Sequence, residues 1–336
     1  MPITRLDHRR LLMLLGIAAA SLFFVAVGAL GSPNPVAAAE PDDAGGGTDA
    51  RIAELEARVA DLEALLTGVT RETVDGHESL VVTGANLHLR DGSGDTGCSG
   101  GDFVSRQFEQ CNGLGNLIVG YGEGNGARSG SHGVVIGERH AYESYGHLIA
   151  GYANTVTHRN GSVLGGGFNT VDAAVATVVG GGANTASGPT STITGGQHNT
   201  TAGNYGAVVG GIGNAANGNS AAVLGGRANI AGGDAATVSG GQENIAGSGD
   251  SSVLGGHRNT TTGSHATVVG GARNLASGLG SVIGGGVDNA ADGTGASVGG
   301  GRRNAADGRY STVSGGAITS VSGNDDWSAG TLFEDD

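Results

Sequence analysis

The pentapeptide Gly295-Ala296-Ser297-Val298-Gly299 spells a nucleophile elbow, the strained strand-to-helix turn that lifts a serine hydroxyl toward a neighbouring base. No helical pattern follows it, and the same small-Val-Gly frame recurs along the chain, so the segment reads as structural. Gly120-Tyr121-Gly122-Glu123-Gly124 fails the dinucleotide fingerprint G-x-G-x-x-G and has no following helix. All 17 basic residues are Arg. Without Lys, phosphate loops of the G-x-x-x-x-G-K-[ST] kind, Schiff-base chemistry and Ser-Lys catalysis are excluded. His132, His140, His147 and His158 lie near Tyr142 and Tyr145. Copies of one such histidine gathered around a symmetry axis would suit a metal ion or a pH response, whereas singly they suit hydrogen-bonded positions in a capping segment. The sequence therefore predicts no catalytic residue, no cofactor and no resident metal, hence not an enzyme.

Ahead of these residues, Arg5, Arg9 and Arg10 precede an apolar run from Leu11 to Leu30, which Pro33 and Pro35 break before Ala37-Ala38-Ala39. That order predicts a signal peptide over residues 1–39 or, because about 20 apolar residues also span a bilayer, an N-terminal membrane anchor. Either way the rest is expected to be exported, to be secreted or held at the cell surface. In an oxidising compartment Cys98 and Cys111, the two cysteines, are expected to close one disulfide. Closing a loop of about 14 residues is worth roughly 3 kcal/mol. Two thiols without a Cys-x-x-Cys partner make a poor metal site.

After an acidic Gly-rich linker (40–50), Ile52, Leu55, Val59, Leu62 and Leu66 recur at spacings of 3, 4, 3 and 4, the seam of a short coiled coil over 51–66. Two heptads are too short to be stable alone, so the helix joins other copies or packs on its own chain. Residues 67–147 read as an irregular N-terminal cap holding the cysteines and two degenerate coils, which start at Leu117 and Val134.

The dominant feature is a repeat. Asn154, Asn169, Asn184, Asn199, Asn214, Asn229, Asn244, Asn259, Asn274, Asn289 and Asn304 follow one another at an unbroken spacing of fifteen. Six residues before each lies an aliphatic (Leu148, Val163, Val178 and so on to Val298), three before lies Gly, eight before lies Gly, Ala or Ser, and two after lies Ala, Val or Thr. Apolar residues three and four apart, which a helix needs, are missing; two short strands and two turns per unit fit instead. The expected fold is all-β, a parallel β-solenoid of 15-residue coils over residues 148–323. Its coils stack roughly 4.8 Å apart into a rod of roughly 55 Å. A composition of 69 Gly in 336 residues, with six Phe, six Tyr and one Trp, suits such a thin architecture. The Asn column is expected at a corner with left-handed backbone, its stacked amides forming a ladder. Residues 324–336, with Trp327, Leu332 and Phe333, are expected to cover the last coil.

The residue after each core aliphatic points to the opposite face of its strand, and Ile149, Leu164, Val179, Val209, Leu224, Leu254 and Val269 are large and apolar there. A strand apolar on both faces is buried on both, so this face predicts association with further copies of the chain. A net charge of −14 argues against nucleic acid as a partner, and between Asn154 and Gly323 seven acids balance seven Arg. Thr155, Thr170, Thr185 and Thr200 form a hydroxyl column of the kind that suits ice, although it stops at Ala215 and Ile230.

Ser162-Val163-Leu164-Gly165-Gly166 through Asn169, with its echoes, resembles the head repeats of YadA-like trimeric autotransporter adhesins. The layout is also similar to a group of exported bacterial proteins that combine a signal segment and short coiled coil with Gly113–Tyr121, the Gly-Gly-x-x-Asn repeats and Asp325-Asp326-Trp327. The resemblance covers about residues 52–333. It implies a homotrimer of left-handed parallel β-rolls around a shared apolar axis, with a surface or adhesive role toward cell-surface or matrix components. The repeat here is fifteen rather than fourteen, and the segment up to Glu334-Asp335-Asp336 lacks the strands of a barrel anchor, so the membrane is expected to be met only through the N-terminal segment.

Overall fold

The computed structural model of the chain describes residues 46–92, 94, 96 and 111–330. The export segment, the linker up to residue 45, Cys98, Leu332 and Phe333 lie outside the described residues. The chain forms two units that divide between His88 and Leu89.

In the first unit, helix α1 (Gly46–Leu65) begins five residues before the heptad seam predicts, with Asp49 in its first turn. Ile52, Leu55, Val59, Leu62 and Leu66 are all exposed, Leu66 lying one residue past the helix. Gly68 then turns the chain at φ +87°, where an added Cβ would lie 2.6 Å from the Thr83 carbonyl oxygen. Next comes a hairpin of β1 (Val69–Val74) and β2 (His77–Val82), which the sequence reading assigned to irregular structure. Asp75 and Gly76 both have positive φ (50° and 82°), the geometry of the two-residue turn that Asp-Gly favours, so the signal was there to be read. Leu80, Val74 and Val82 of this hairpin are also exposed.

The second unit is a solenoid. Strands β3 (Leu117–Val119), β4 (Val134–Glu138), β6 (Leu148–Tyr152) and β8 (Ser162–Val163) begin a parallel sheet of 15 strands; β5 (Ala141–Tyr142) and β7 (Thr155–Val156) begin a second of 13. Each coil contributes one short strand to each sheet. Val178, for example, stacks on Val163 and Ile193, while Ala186 stacks on Val171 and Thr201. These inward residues are fully buried, and from Asn169 on the small residue eight before each Asn, such as Ala176, Ser191 and Ala221, is buried as well. The core is one aliphatic, one small residue and one Ala, Val or Thr thick.

Three positions per coil take left-handed backbone: in one coil Gly181 (φ 86°), Ala183 (φ 53°) and Thr190 (φ 60°). The second of these immediately precedes the Asn. The expectation that the Asn itself bends left is thus corrected: the tight turn falls one residue earlier, on Ala183, Ala228 or Arg273, and the Asn enters the second sheet. At Gly181 a Cβ would meet the Gly196 carbonyl oxygen at 2.1 Å and Asn184 Nδ2 at 2.8 Å, so the Gly column exists because the Asn amide and the next coil fill its space.

The first regular coil departs from the even spacing. Leu148 pairs with Ser162 and Ile149 with Val163, fourteen residues apart, while Thr155 pairs with Thr170 at fifteen. The turn between Ile149 and Asn154 is one residue shorter than its successors, which moves Ile149 from the outward face into the core, fully buried, and leaves Leu148 partly exposed. At the other end Trp327 pairs with Thr312, so the strand pattern runs past 323. The expectation that Trp327 covers the end of the core is corrected: its ring lies on the outward side, 64% exposed, with Nε1 donating to Ser314 Oγ at 2.9 Å.

Candidate interaction surface

The Asn side chains, from Asn154 to Asn304, are buried to within 1%. Asn229 shows the pattern. Its Nδ2 donates to the carbonyls of Gly225 (2.9 Å) and Gly241 (3.0 Å), and its Oδ1 accepts the backbone N–H of Asn244 at 3.0 Å. The ladder runs mainly from side chain to backbone. Amide-to-amide contacts occur between Asn184 and Asn169, Asn274 and Asn259, and Asn289 and Asn274, each at 3.1 Å. Every polar atom of the amide is engaged within the stack, which is a structural role.

Two further residues extend the ladder. His140 Nδ1 accepts the N–H of Asn154 and its Nε2 meets the Ile136 carbonyl at 3.0 Å, while Asn304 Oδ1 accepts the N–H of Thr319. Sequence reasoning treated His140 as one of a histidine group; its position fourteen before Asn154, matching the 14-residue step between β4 and β6, was the signal available.

The four histidines do not converge. His132 Nε2 lies 3.7 Å from Asp91 Oδ1, and His158 Nδ1 lies 3.4 Å from Asp172 Oδ1. His147 is buried with its ring 4.8 Å from that of Tyr142 and with neither ring nitrogen hydrogen-bonded to a described residue, and burial pushes its pKa down to about 4. Tyr142 occupies the inward position of the second sheet, opposite Val156, and burial raises its hydroxyl pKa. Among the described residues no three His, Cys, Asp or Glu side chains are placed to hold a metal ion. Ser297 sits in a strand between Val282 and Thr312, neither of which supplies a base. An open cleft of about 230 Å³ at the irregular end is lined by Tyr121, Arg128, Arg139 and His140. Arg128 is bonded to the Glu123 and His140 carbonyls and Arg139 to the Tyr152 hydroxyl.

The outward faces are more regular. On the first sheet Leu164 (46% exposed), Val179, Val209 (54%), Leu224 (49%), Leu254 and Val269 are exposed, and Val209 and Leu224 occupy the same position in adjacent coils. Beside them Gly180, Gly210, Gly225, Gly255 and Gly270 would place a Cβ in open space. On the second sheet Thr155, Thr170, Thr185 and Thr200 stack in register.

Fold and faces together define a repetitive parallel β-solenoid whose repeat-wide side chains hold the stack together or face outward from it. No protein-family model and no curated protein matches the chain. No helix among the described residues is long and apolar enough to cross a membrane.

Proposed function

We propose that the protein is a non-catalytic, exported structural or adhesive rod that works as a homotrimer of β-rolls. The observation that carries this is the line of six exposed aliphatics from Leu164 to Val269, which no described residue covers. Thr194 and Ser239 interrupt the line, and monomeric proteins rarely expose large apolar patches. The first unit supports the same reading: the seam of α1 and the apolar residues of the hairpin are also exposed, and a lone hairpin is marginal in water. In this reading the seam closes a short coiled coil, the export segment delivers the chain outside the cell, and Cys98 pairs with Cys111. Mass spectrometry of non-reduced protein would detect that cross-link.

Changing Val209 and Leu224 to Arg tests the trimer, because it would place six charges around the shared axis at several kcal/mol per ion. Light scattering and circular dichroism should show oligomer and β-structure lost together, and the wild type should melt at a temperature that rises with concentration. A wild-type monomer overturns the proposal.

The in-register Thr column favours a second reading, an ice-binding surface, for which a thermal-hysteresis assay is decisive.

A further inference from the structure

The fourteen charges between Asn154 and Gly323 cancel in the sequence, but the fold sorts them. Each coil has two turns, one leading from the first sheet to the second and ending at the Asn, the other returning from the second sheet to the next strand of the first. The two turns lie at opposite edges of the sheet pair. On the outgoing edge, one or two residues before an Asn, stand Arg227, Arg258, Arg273, Arg302 and Arg303, with Glu243 and Asp288. Five Arg against two carboxylates leave that edge at +3. On the returning edge, three to six residues after an Asn, stand Asp172, Asp234, Asp250, Asp292 and Asp307, with Arg159 and Arg309. Five carboxylates against two Arg leave that edge at −3.

Within the arginine edge the two carboxylates are already used. Glu243 pairs with Arg258 at 2.5 Å and Asp288 with Arg273 at 2.6 Å. Among the described residues Arg227, Arg302 and Arg303 make no ion pair within the chain; of the five Asp on the other edge, Asp172 lies 3.4 Å from His158 Nδ1 and Asp250 3.8 Å from His265 Nδ1, while Asp234 accepts from the Asn219 N–H and Asp292 from the Ser277 hydroxyl, all along that same edge. These three Arg and five Asp side chains are all exposed. The heights match to within one coil: Arg227 shares a coil with Asp234, Arg258 lies one coil after Asp250, Arg273 one coil before Asp292, and Arg302 and Arg303 lie one coil after Asp292 and share theirs with Asp307. Within single coils Glu243 is level with Asp250, Asp288 is level with Asp292, and Arg309 stands beside Asp307, so the match is one of edges and not of coil-by-coil pairs.

We propose that the two edges are the complementary halves of one contact between copies of this chain, the arginine edge of one docking on the carboxylate edge of the next. The copies run parallel, because an antiparallel pair would bring like edges together, and a closed ring holds them level, with each arginine within one coil of a facing carboxylate. Such a contact is head-to-tail around the assembly, so it closes into a ring when the rotation allows. It rests on the self-association proposed above and adds which edges meet, in what direction and at what height. The apolar stripe supplies adhesion, and the edges supply orientation, as complementary charge commonly does.

The test uses the exported full chain and three variants: Arg302→Asp with Arg303→Asp, Asp292→Arg with Asp307→Arg, and all four changes in one chain. Circular dichroism checks that each remains folded, and sedimentation measures assembly at low and at about 0.5 M salt, where charge is screened within a few ångströms. Each double variant should raise the dissociation constant about tenfold or more at low salt. The fourfold variant, whose edges are swapped and again complementary, should return to near the wild-type value. Wild-type assembly should weaken as salt rises. A wild-type oligomer that ignores salt and the double variants overturns the edge contact while leaving self-association standing. A fourfold variant as weak as either double variant also overturns it. A wild type that is monomeric throughout removes the self-association reading and the edge contact together.

Discussion

His140 Nδ1 accepts the backbone N–H of Asn154 at 3.2 Å, so an imidazole stands as the first rung of a ladder otherwise built from Asn. With Nδ1 accepting, the ring proton lies on Nε2 and is donated to the Ile136 carbonyl, four residues back, as each Asn Nδ2 is donated to the carbonyl four residues before it. The equivalence has a direct consequence. His140→Asn keeps both bonds and should hold stability within about 0.5 kcal/mol, whereas His140→Ala strands a buried N–H and a carbonyl and should cost about 1–3 kcal/mol. Chemical denaturation of the two variants distinguishes them.

Acid should loosen the first coils. His147 is held neutral, its pKa lowered by burial from 6.5 to about 4, so the unfolded chain binds the proton more readily than the folded one. The stability that this ring allows is complete above pH 6.5 and falls as pH drops from there toward 4, by up to about 3 kcal/mol. Hydrogen exchange of residues 130–150 should accelerate over that interval, and His147→Phe should flatten the response.

Replacing Asn214, Asn229 and Asn244 together by Asp removes the donors to Gly210 (2.8 Å), Gly225 (2.9 Å) and Gly240 (2.9 Å) and sets buried carboxylates against those carbonyl oxygens. Each site should lose about 1–3 kcal/mol at pH 7. A carboxylate buried against two carbonyl oxygens, with one N–H donor at Oδ1, titrates above its usual range, so protonation at pH 3 restores a donor and the loss should shrink there. Thermal melts of variant and wild type at both pH values read the difference.

Among the described residues the buried Ser281 hydroxyl has no hydrogen-bond partner. Thr201 Oγ1 donates to Ser191 Oγ at 2.8 Å and Thr261 Oγ1 to Ser251 Oγ at 2.9 Å, ten residues apart in each case. Ser281 has Ala291 at that distance in sequence, and its Oγ makes no hydrogen bond among the described residues. Ser281→Ala should therefore raise the melting temperature, worth about 1 kcal/mol, and Ala291→Thr should raise it by a different route, supplying the missing bond. Combining the two should give less than their sum, because the first removes what the second satisfies.

The sequence by itself determined the period, the inward column from Val163 to Val313, the small residues around it and the outward aliphatics from Leu164 to Val269, because strand alternation and a fixed repeat are local properties. It also carries the Asp75-Gly76 turn, a two-residue hairpin signal. Tertiary structure alone decided the rest. The Asn spacing stays at fifteen across Asn154 and Asn169 while the strand spacing falls to fourteen, so only the pairing of Ile149 with Val163 shows that Ile149 is buried. The left-handed turn falls on the residue before each Asn because the next coil claims the Asn carboxamide, a contact fifteen residues away. The seven Arg and seven acids cancel as a count, and they become two oppositely charged edges only once the stacked coils place each turn on its own side of the sheets.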